Sequence, residues 1–136
     1  MNMIGKLIID KTSTTPEVIL DPENKIFKIS GESRPSDVRE FYDRIMSWLI
    51  DFRWEFTNSK DFKGPINFSF HLEYFNSSSA KMILDICKIL SSLKLNGFNV
   101  TINWCYDKED IDMLEVGKEI SGIVKVPFEY IVSENR

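Results

Sequence analysis

The sequence is poor in the residues that most active sites need. Its 136 residues include one histidine, His71, and two cysteines, Cys87 and Cys105. A lone histidine on the polar side of a strand pattern has no base or metal partner close in sequence, so it reads as structural or surface-exposed. The two cysteines are isolated and lie in apolar surroundings, so both read as small buried hydrophobes and not as a disulfide or metal pair. The six glycines form no phosphate-cradling loop, and there is no zinc spacing, nucleophile elbow or basic-aromatic stripe. Serine without an activating base is no nucleophile. These gaps together predict no catalytic residue, no metal and no cofactor. No apolar run approaches the ~20 residues that span a bilayer. The first ten residues lack the long apolar stretch and cleavage site of a signal peptide, which points to the cytoplasm. Excess positive charge is missing too. A net charge of −4 gives no electrostatic case for nucleic acid or an anionic membrane.

What is present is one domain's worth of core. A chain of this length with 43% hydrophobic and 28% charged residues predicts a single domain over 1–136. Ile4 to Ile9 is a short apolar run and reads as an edge strand. Glu17–Leu20 and Lys25–Ser30 flank Asp21-Pro22-Glu23-Asn24, which is turn chemistry, so a β-hairpin is expected. Ser36 or Asp37 then caps a first helix. Its apolar stripe is Val38, Phe41, Tyr42, Ile45, Trp48, Leu49 and Phe52 at the 3.6 period, and Trp54 to Gly64 reads as a polar connection. Met46 and Ile50 lie outside the stripe, on one flank. Either a neighbouring segment covers them or they form an apolar strip for a partner protein.

Ile66, Phe68, Phe70, Leu72 and Tyr74 recur every second residue and predict a strand. A second helix runs to about Leu95 and is stopped by Asn96-Gly97. Val100, Ile102, Trp104 and Tyr106 mark the next strand. Asp107, Glu109, Asp110, Asp112 and Glu115 open a third helix that Gly122 ends, and Pro127–Val132 is a last strand. This acidic stretch lacks EF-hand spacing and reads as a charged cap and solvated face, with Asp110 and Asp112 as candidate partner contacts. Asn67, Ser69, His71 and Glu73 in one strand, and Thr101, Asn103 and Cys105 in the other, oppose the apolar sets. A strand buried on both faces would be continuously hydrophobic. The expected architecture is therefore an α/β two-layer sandwich: a mixed sheet with helices mainly on one face and parallel crossovers in its later half.

The organising stretch is Tyr74-Phe75-Asn76-Ser77-Ser78-Ser79-Ala80-Lys81, where strand period gives way to helix period. Asn and Ser are favoured N-caps, and the positive end of the helix dipole lies there. The plain reading is a helix cap; the sharper one is a regulatory phosphorylation site. Ser79 lies four residues before Ile83, on the buried stripe. Ser77 and Ser78 flank the polar stripe and remain the candidates, with Asn76 and Lys81 as their surroundings.

Several segments together resemble the SiaC-type family of bacterial regulatory phosphoproteins, whose fold is similar to the STAS domains of anti-sigma-factor antagonists. The matching residues are Thr15-Pro16, Gly31-Glu32-Ser33 with Pro35, Phe41-Tyr42 with Trp48-Leu49, and above all Tyr74 to Ser79 with Lys81. Trp104, Tyr106, Asp107, Asp110, Asp112, Glu115 and Gly117 follow. The resemblance implies a STAS-like sandwich with a sheet of about five strands, acting as one regulatory domain without catalytic activity. The family's regulatory threonine in an Asn-Thr-Ser-Ser run falls on Ser77, with Ser78 the second choice. Arg34 and Ser36, around Pro35, depart from the family's usual apolar and acidic residues. The implied partners are a serine/threonine kinase of the anti-sigma-factor type, a PP2C-type phosphatase, and a diguanylate cyclase stimulated by the unphosphorylated form. That would place the chain in cyclic di-GMP and biofilm signalling. The alternatives are a constitutive protein-binding module with no phospho-regulation, and a small-ligand domain using Asn67, His71, Glu73 and Asn103.

Overall fold

A computed structural model of the chain describes residues 5–59 and 64–133. In chain order the elements are β1 (Leu7–Ile9), β2 (Glu17–Asp21), β3 (Ile26–Ser33), α1 (Val38–Ser59), β4 (Ile66–Phe75), α2 (Ser77–Leu95), β5 (Val100–Asp107), α3 (Ile111–Ile123) and β6 (Phe128–Ser133). The strands form one mixed sheet in the order β1-β2-β3-β4-β5-β6. That is six strands where the family resemblance implied about five. β1 is the edge strand that the apolar run predicts, and it pairs antiparallel with β2 through Leu7–Leu20, Ile8–Ile19 and Ile9–Val18. Ile4, where this strand was expected to begin, lies outside the described residues.

β2 and β3 form the expected hairpin. Its turn is held by the Asp21 carboxylate, which accepts from the Asn24 backbone N–H at 3.3 Å and its side-chain amide at 2.8 Å. From β3 to β6 the pairs are all parallel, because a helix crosses between each strand and the next. Phe27, Phe68 and Ile102 lie in register on one face, all buried. The three helices cover that face: Phe27 meets Trp48 and Phe52 of α1, α2 buries Ile83, Ile86 and Leu90, and Trp104 bonds to α3. The opposite face carries Asn67, Ser69, His71, Thr101 and Asn103, none of them buried. The predicted one-sided packing follows from that alternation.

Four details differ from the sequence reading. α1 continues to Ser59, through what was read as a polar connection, because Phe56 extends the buried stripe one turn past Phe52. The pairing of β3 with β4 shifts between Gly31 and Glu32, so that Gly31 faces Leu72 and Glu32 faces Tyr74. Glu73 is the unmatched residue of this bulge, and phase reverses beyond it. Tyr74 therefore points outward at 50% exposure, while Phe75 turns in against Trp104 with ring centroids 6.4 Å apart. Cys87 is buried as expected, but Cys105 is only half-buried, on the open face of β5. α3 runs one residue past Gly122, to Ile123.

Candidate functional site: the serine turn between β4 and α2

The first turn of α2 sits at the carboxyl ends of the parallel strands β3 and β4. Asn76 leaves β4 in an extended conformation and caps the helix: its Oδ1 accepts from the Ser79 backbone N–H at 2.9 Å, and its carbonyl accepts from Ala80 N–H at 2.9 Å. The Asn76 N–H donates back to the Ser33 carbonyl at 3.1 Å, which ties the cap to the last residue of β3. This fixes Ser77, Ser78 and Ser79 as the first three helical residues. At the far end, Gly97 takes a positive φ of 99° and its N–H donates to the Lys94 carbonyl, so Asn96-Gly97 is the helix stop the sequence predicts.

The three serines differ in environment. Ser79 is wholly buried, as the helical spacing predicts, and Ser77 and Ser78 are exposed. Ser79 Oγ donates to the Ser33 carbonyl at 3.1 Å and accepts from Ser33 Oγ at 2.9 Å. Ser33 Oγ also lies 2.5 Å from the Tyr42 hydroxyl of α1. Burial raises the Tyr42 pKa above its ordinary value, against the lowering effect of the Ser33 hydroxyl it bonds and the Ser79 hydroxyl nearby. The sequence reading did not single out Ser33 or Tyr42 for this site. Two signals pointed to them. Ser33 is in phase with the inward residues Phe27, Ile29 and Gly31, and a tyrosine within an apolar stripe needs a partner for its hydroxyl.

Lys81 is exposed and donates to Asp85 Oδ2 at 3.1 Å, one turn along. A surface pair of this kind contributes little and leaves the ammonium available to another anion. Lys81, Asp85, Ser78 and Met82 line an open groove of about 410 Å³ against Val38, Arg39, Asp43 and Met46 of α1. Of the Met46–Ile50 flank, only Met46 lines this groove, packed partly against the core. Ile50 is 44% exposed and one turn further along α1.

Asp110 caps α3, its Oδ1 accepting from the Met113 N–H at 3.1 Å, and Asp112 is exposed in the first turn. Both follow β5, whose carboxyl end lies on the same edge of the sheet as the serine turn. His71 is exposed, and its Nε2 lies 2.8 Å from Ser133 Oγ on the open face. Among the described residues, no three His, Cys, Asp or Glu side chains are gathered where they could hold a metal ion.

The description "SiaC family regulatory phosphoprotein" matches residues 9–133. The chain belongs to the SiaC family. This SiaC family member is 26% identical over 125 residues to an uncharacterised protein of Pseudomonas aeruginosa strain UCBPP-PA14, covering 92% of this chain and 94% of that one. Its fold matches apo-SiaC from Pseudomonas aeruginosa with a TM-score of 0.81 at 25% identity, covering 94% of this chain and 99% of the other. It also matches, with a TM-score of 0.82 at 25% identity, a structure of the diguanylate cyclase SiaD in complex with its activator SiaC. That match covers 93% of this chain and 99% of the matched chain.

Proposed function

We propose that this chain is a non-catalytic switch protein whose binding to a diguanylate cyclase is set by phosphorylation of Ser77. The observation that carries the reading is the contrast within one helical turn: Ser77 is exposed at the first helical position while Ser79 is wholly buried. The family's description as regulatory phosphoproteins and the complex of the relative SiaC with the cyclase SiaD support it. A phosphate on Ser77 adds about −1.5 to −2 charge at the edge of an interface that must lose water on docking. At the start of α2 that charge is favourable to this chain's own helix dipole, so the cost falls on the partner and not on the fold. Lys81 is the cation nearest in sequence to receive it.

A serine/threonine kinase of the anti-sigma-factor type adds the phosphate, and a PP2C-type phosphatase removes it. The unphosphorylated form engages the cyclase in the cytoplasm and raises cyclic di-GMP. Met46, Ile50, Asp110 and Asp112 are the candidate partner contacts, and the fold acts as one STAS-like regulatory domain.

Phosphopeptide mass spectrometry of protein isolated from its own organism, covering residues 66–88, tests the site. Binding of Ser77→Ala and Ser77→Asp to the diguanylate cyclase of that organism tests the switch. Phosphate on Ser77, with cyclase retained by the alanine variant and lost by the aspartate variant, is expected. Equal binding by both variants removes Ser77 from the switch.

A further inference from the structure

Three buried hydroxyls, Tyr42, Ser33 and Ser79, come from α1, β3 and α2, and all three residues are 0% exposed. Their protons can be assigned from the acceptors available. Ser79 Oγ donates to the Ser33 carbonyl, and Ser33 Oγ donates to Ser79 Oγ. Ser33 has then spent its only proton, so in the 2.5 Å contact the Tyr42 hydroxyl is the donor. The result is a one-directional chain: Tyr42 O–H to Ser33 Oγ, Ser33 O–H to Ser79 Oγ, Ser79 O–H to the Ser33 carbonyl. That carbonyl also receives the Asn76 N–H, and Asn76 in turn accepts from Ser79 N–H. Every donor in the unit has an acceptor and every link crosses between elements or closes the cap. Such a fully satisfied buried network permits one arrangement, because any slip of the helix strands a buried polar group.

We propose that Tyr42 and Ser33 are positioning residues for the switch: the hydroxyl chain locks the register of α2 on β3, and that lock selects Ser77 over Ser78 as the modified serine. A rotation of the first turn by one residue, about 100°, would bring Ser78 toward the place Ser79 now holds and carry Ser77 to another face. The lock therefore determines which hydroxyl a kinase meets. This rests on the Ser77 reading above for its second half only; the locking of the turn stands apart from it.

The experiment uses the full chain carrying Tyr42→Phe, which keeps the ring and removes the first donor, and Ser33→Ala, which removes the middle link. Amide hydrogen exchange is read at Asn76, Ser79 and Ala80, and phosphate on Ser77 and Ser78 is read from the same variants expressed in their own organism. Exchange at these three amides should accelerate in both variants, roughly tenfold in Ser33→Ala, the size of one buried hydrogen bond, and by less in Tyr42→Phe, while the amides of β4 and mid-α1 keep wild-type rates. Phosphate should spread from Ser77 to Ser78. Unchanged exchange at all three amides in both variants would overturn the lock. A loosened turn whose phosphate stays confined to Ser77 would overturn the selection. A loosened turn in a protein that carries no phosphate on either serine, wild type included, would uphold the lock and remove the Ser77 reading instead.

Discussion

Gly117 lies flat against the Trp104 indole. A Cβ on Gly117 would sit 2.5 Å from Trp104 Cδ1 and 2.6 Å from Nε1. One turn earlier in α3, the Met113 carbonyl accepts the indole N–H at 2.8 Å, and Trp104 is 1% exposed. The ring is thus bonded by one turn of α3 and packed against the next, so the helix sets its distance from the sheet on this side chain. Phe70, Phe75 and Phe128 crowd the same indole, so it has no room to retreat.

Gly117→Ala should therefore destabilise the protein. Alanine is the better helix former by about 0.8–1.0 kcal/mol, so propensity alone predicts a gain. Overpacking against a ring that cannot shift costs about 1–3 kcal/mol, and wins. Urea unfolding followed by tryptophan fluorescence measures the balance. A midpoint at or above wild type would mean that α3 can lift off Trp104 at little cost.

Much of this fold is written in periodicity. β4 and the buried stripe of α1 each repeat a local spacing that a reader of the sequence can follow. The misses occur where that spacing is interrupted or carried further than it looks. Glu73 is one inserted residue, and nothing in the run from Ile66 to Tyr74 marks where the alternation slips; only the pairing with Gly31 and Glu32 does. Phe56 extends α1, but exposed Trp54 and the polar residues around it hide the step of four from Phe52. At the site, Asn76 and the burial of Ser79 follow from local rules. The inward phase of Ser33 does too, but its pairing with Ser79 does not, since the two lie 46 residues apart and no periodicity links residues so distant.

The Asn76 cap should be worth what an N-cap usually is. Asn76→Ala removes the acceptor for Ser79 N–H and should cost about 1 kcal/mol. Asn76→Asp keeps the acceptor, adds charge at the favourable end of the dipole, and should be neutral or stabilising near pH 7. Thermal denaturation of the pair decides it. If alanine melts with wild type, the hold on this turn comes entirely from Ser33 and the hydroxyl chain.

The two thiols should behave differently. Burial pushes the Cys87 pKa far up and raises that of half-buried Cys105 as well. In the native protein at pH 8, a thiol-specific reagent should leave Cys87 untouched and modify Cys105 slowly; in urea both should react at once. Stability should also fall on the alkaline side. Above pH ~8.5 unfolded cysteine loses its proton while native Cys87 keeps it, so the unfolded state binds fewer protons and each further pH unit costs about 1.4 kcal/mol. Rapid labelling of Cys87 in the folded chain would contradict its burial.

The hydroxyl chain makes a prediction about non-additivity. Ser33→Ala takes the acceptor at 2.5 Å from the buried Tyr42 O–H and leaves it only Ser79 Oγ nearby, a desolvation cost of up to about 1–3 kcal/mol beyond the lost bonds. Tyr42→Phe strands no donor, since Ser33 still donates to Ser79; only an acceptor lone pair goes unused, so it should be the milder change. In the double variant the stranded tyrosine proton is gone. Ser33→Ala with Tyr42→Phe should therefore be less destabilised than the sum of the two single changes, and close to or above Ser33→Ala alone. Equilibrium urea unfolding of the four proteins gives the coupling directly, and the expected interaction is about 1 kcal/mol or more, as for residues sharing one buried network. Strict additivity would mean that the Tyr42 hydroxyl finds another acceptor when Ser33 is removed, and that the chain of donors is not the unit that holds the first turn of α2.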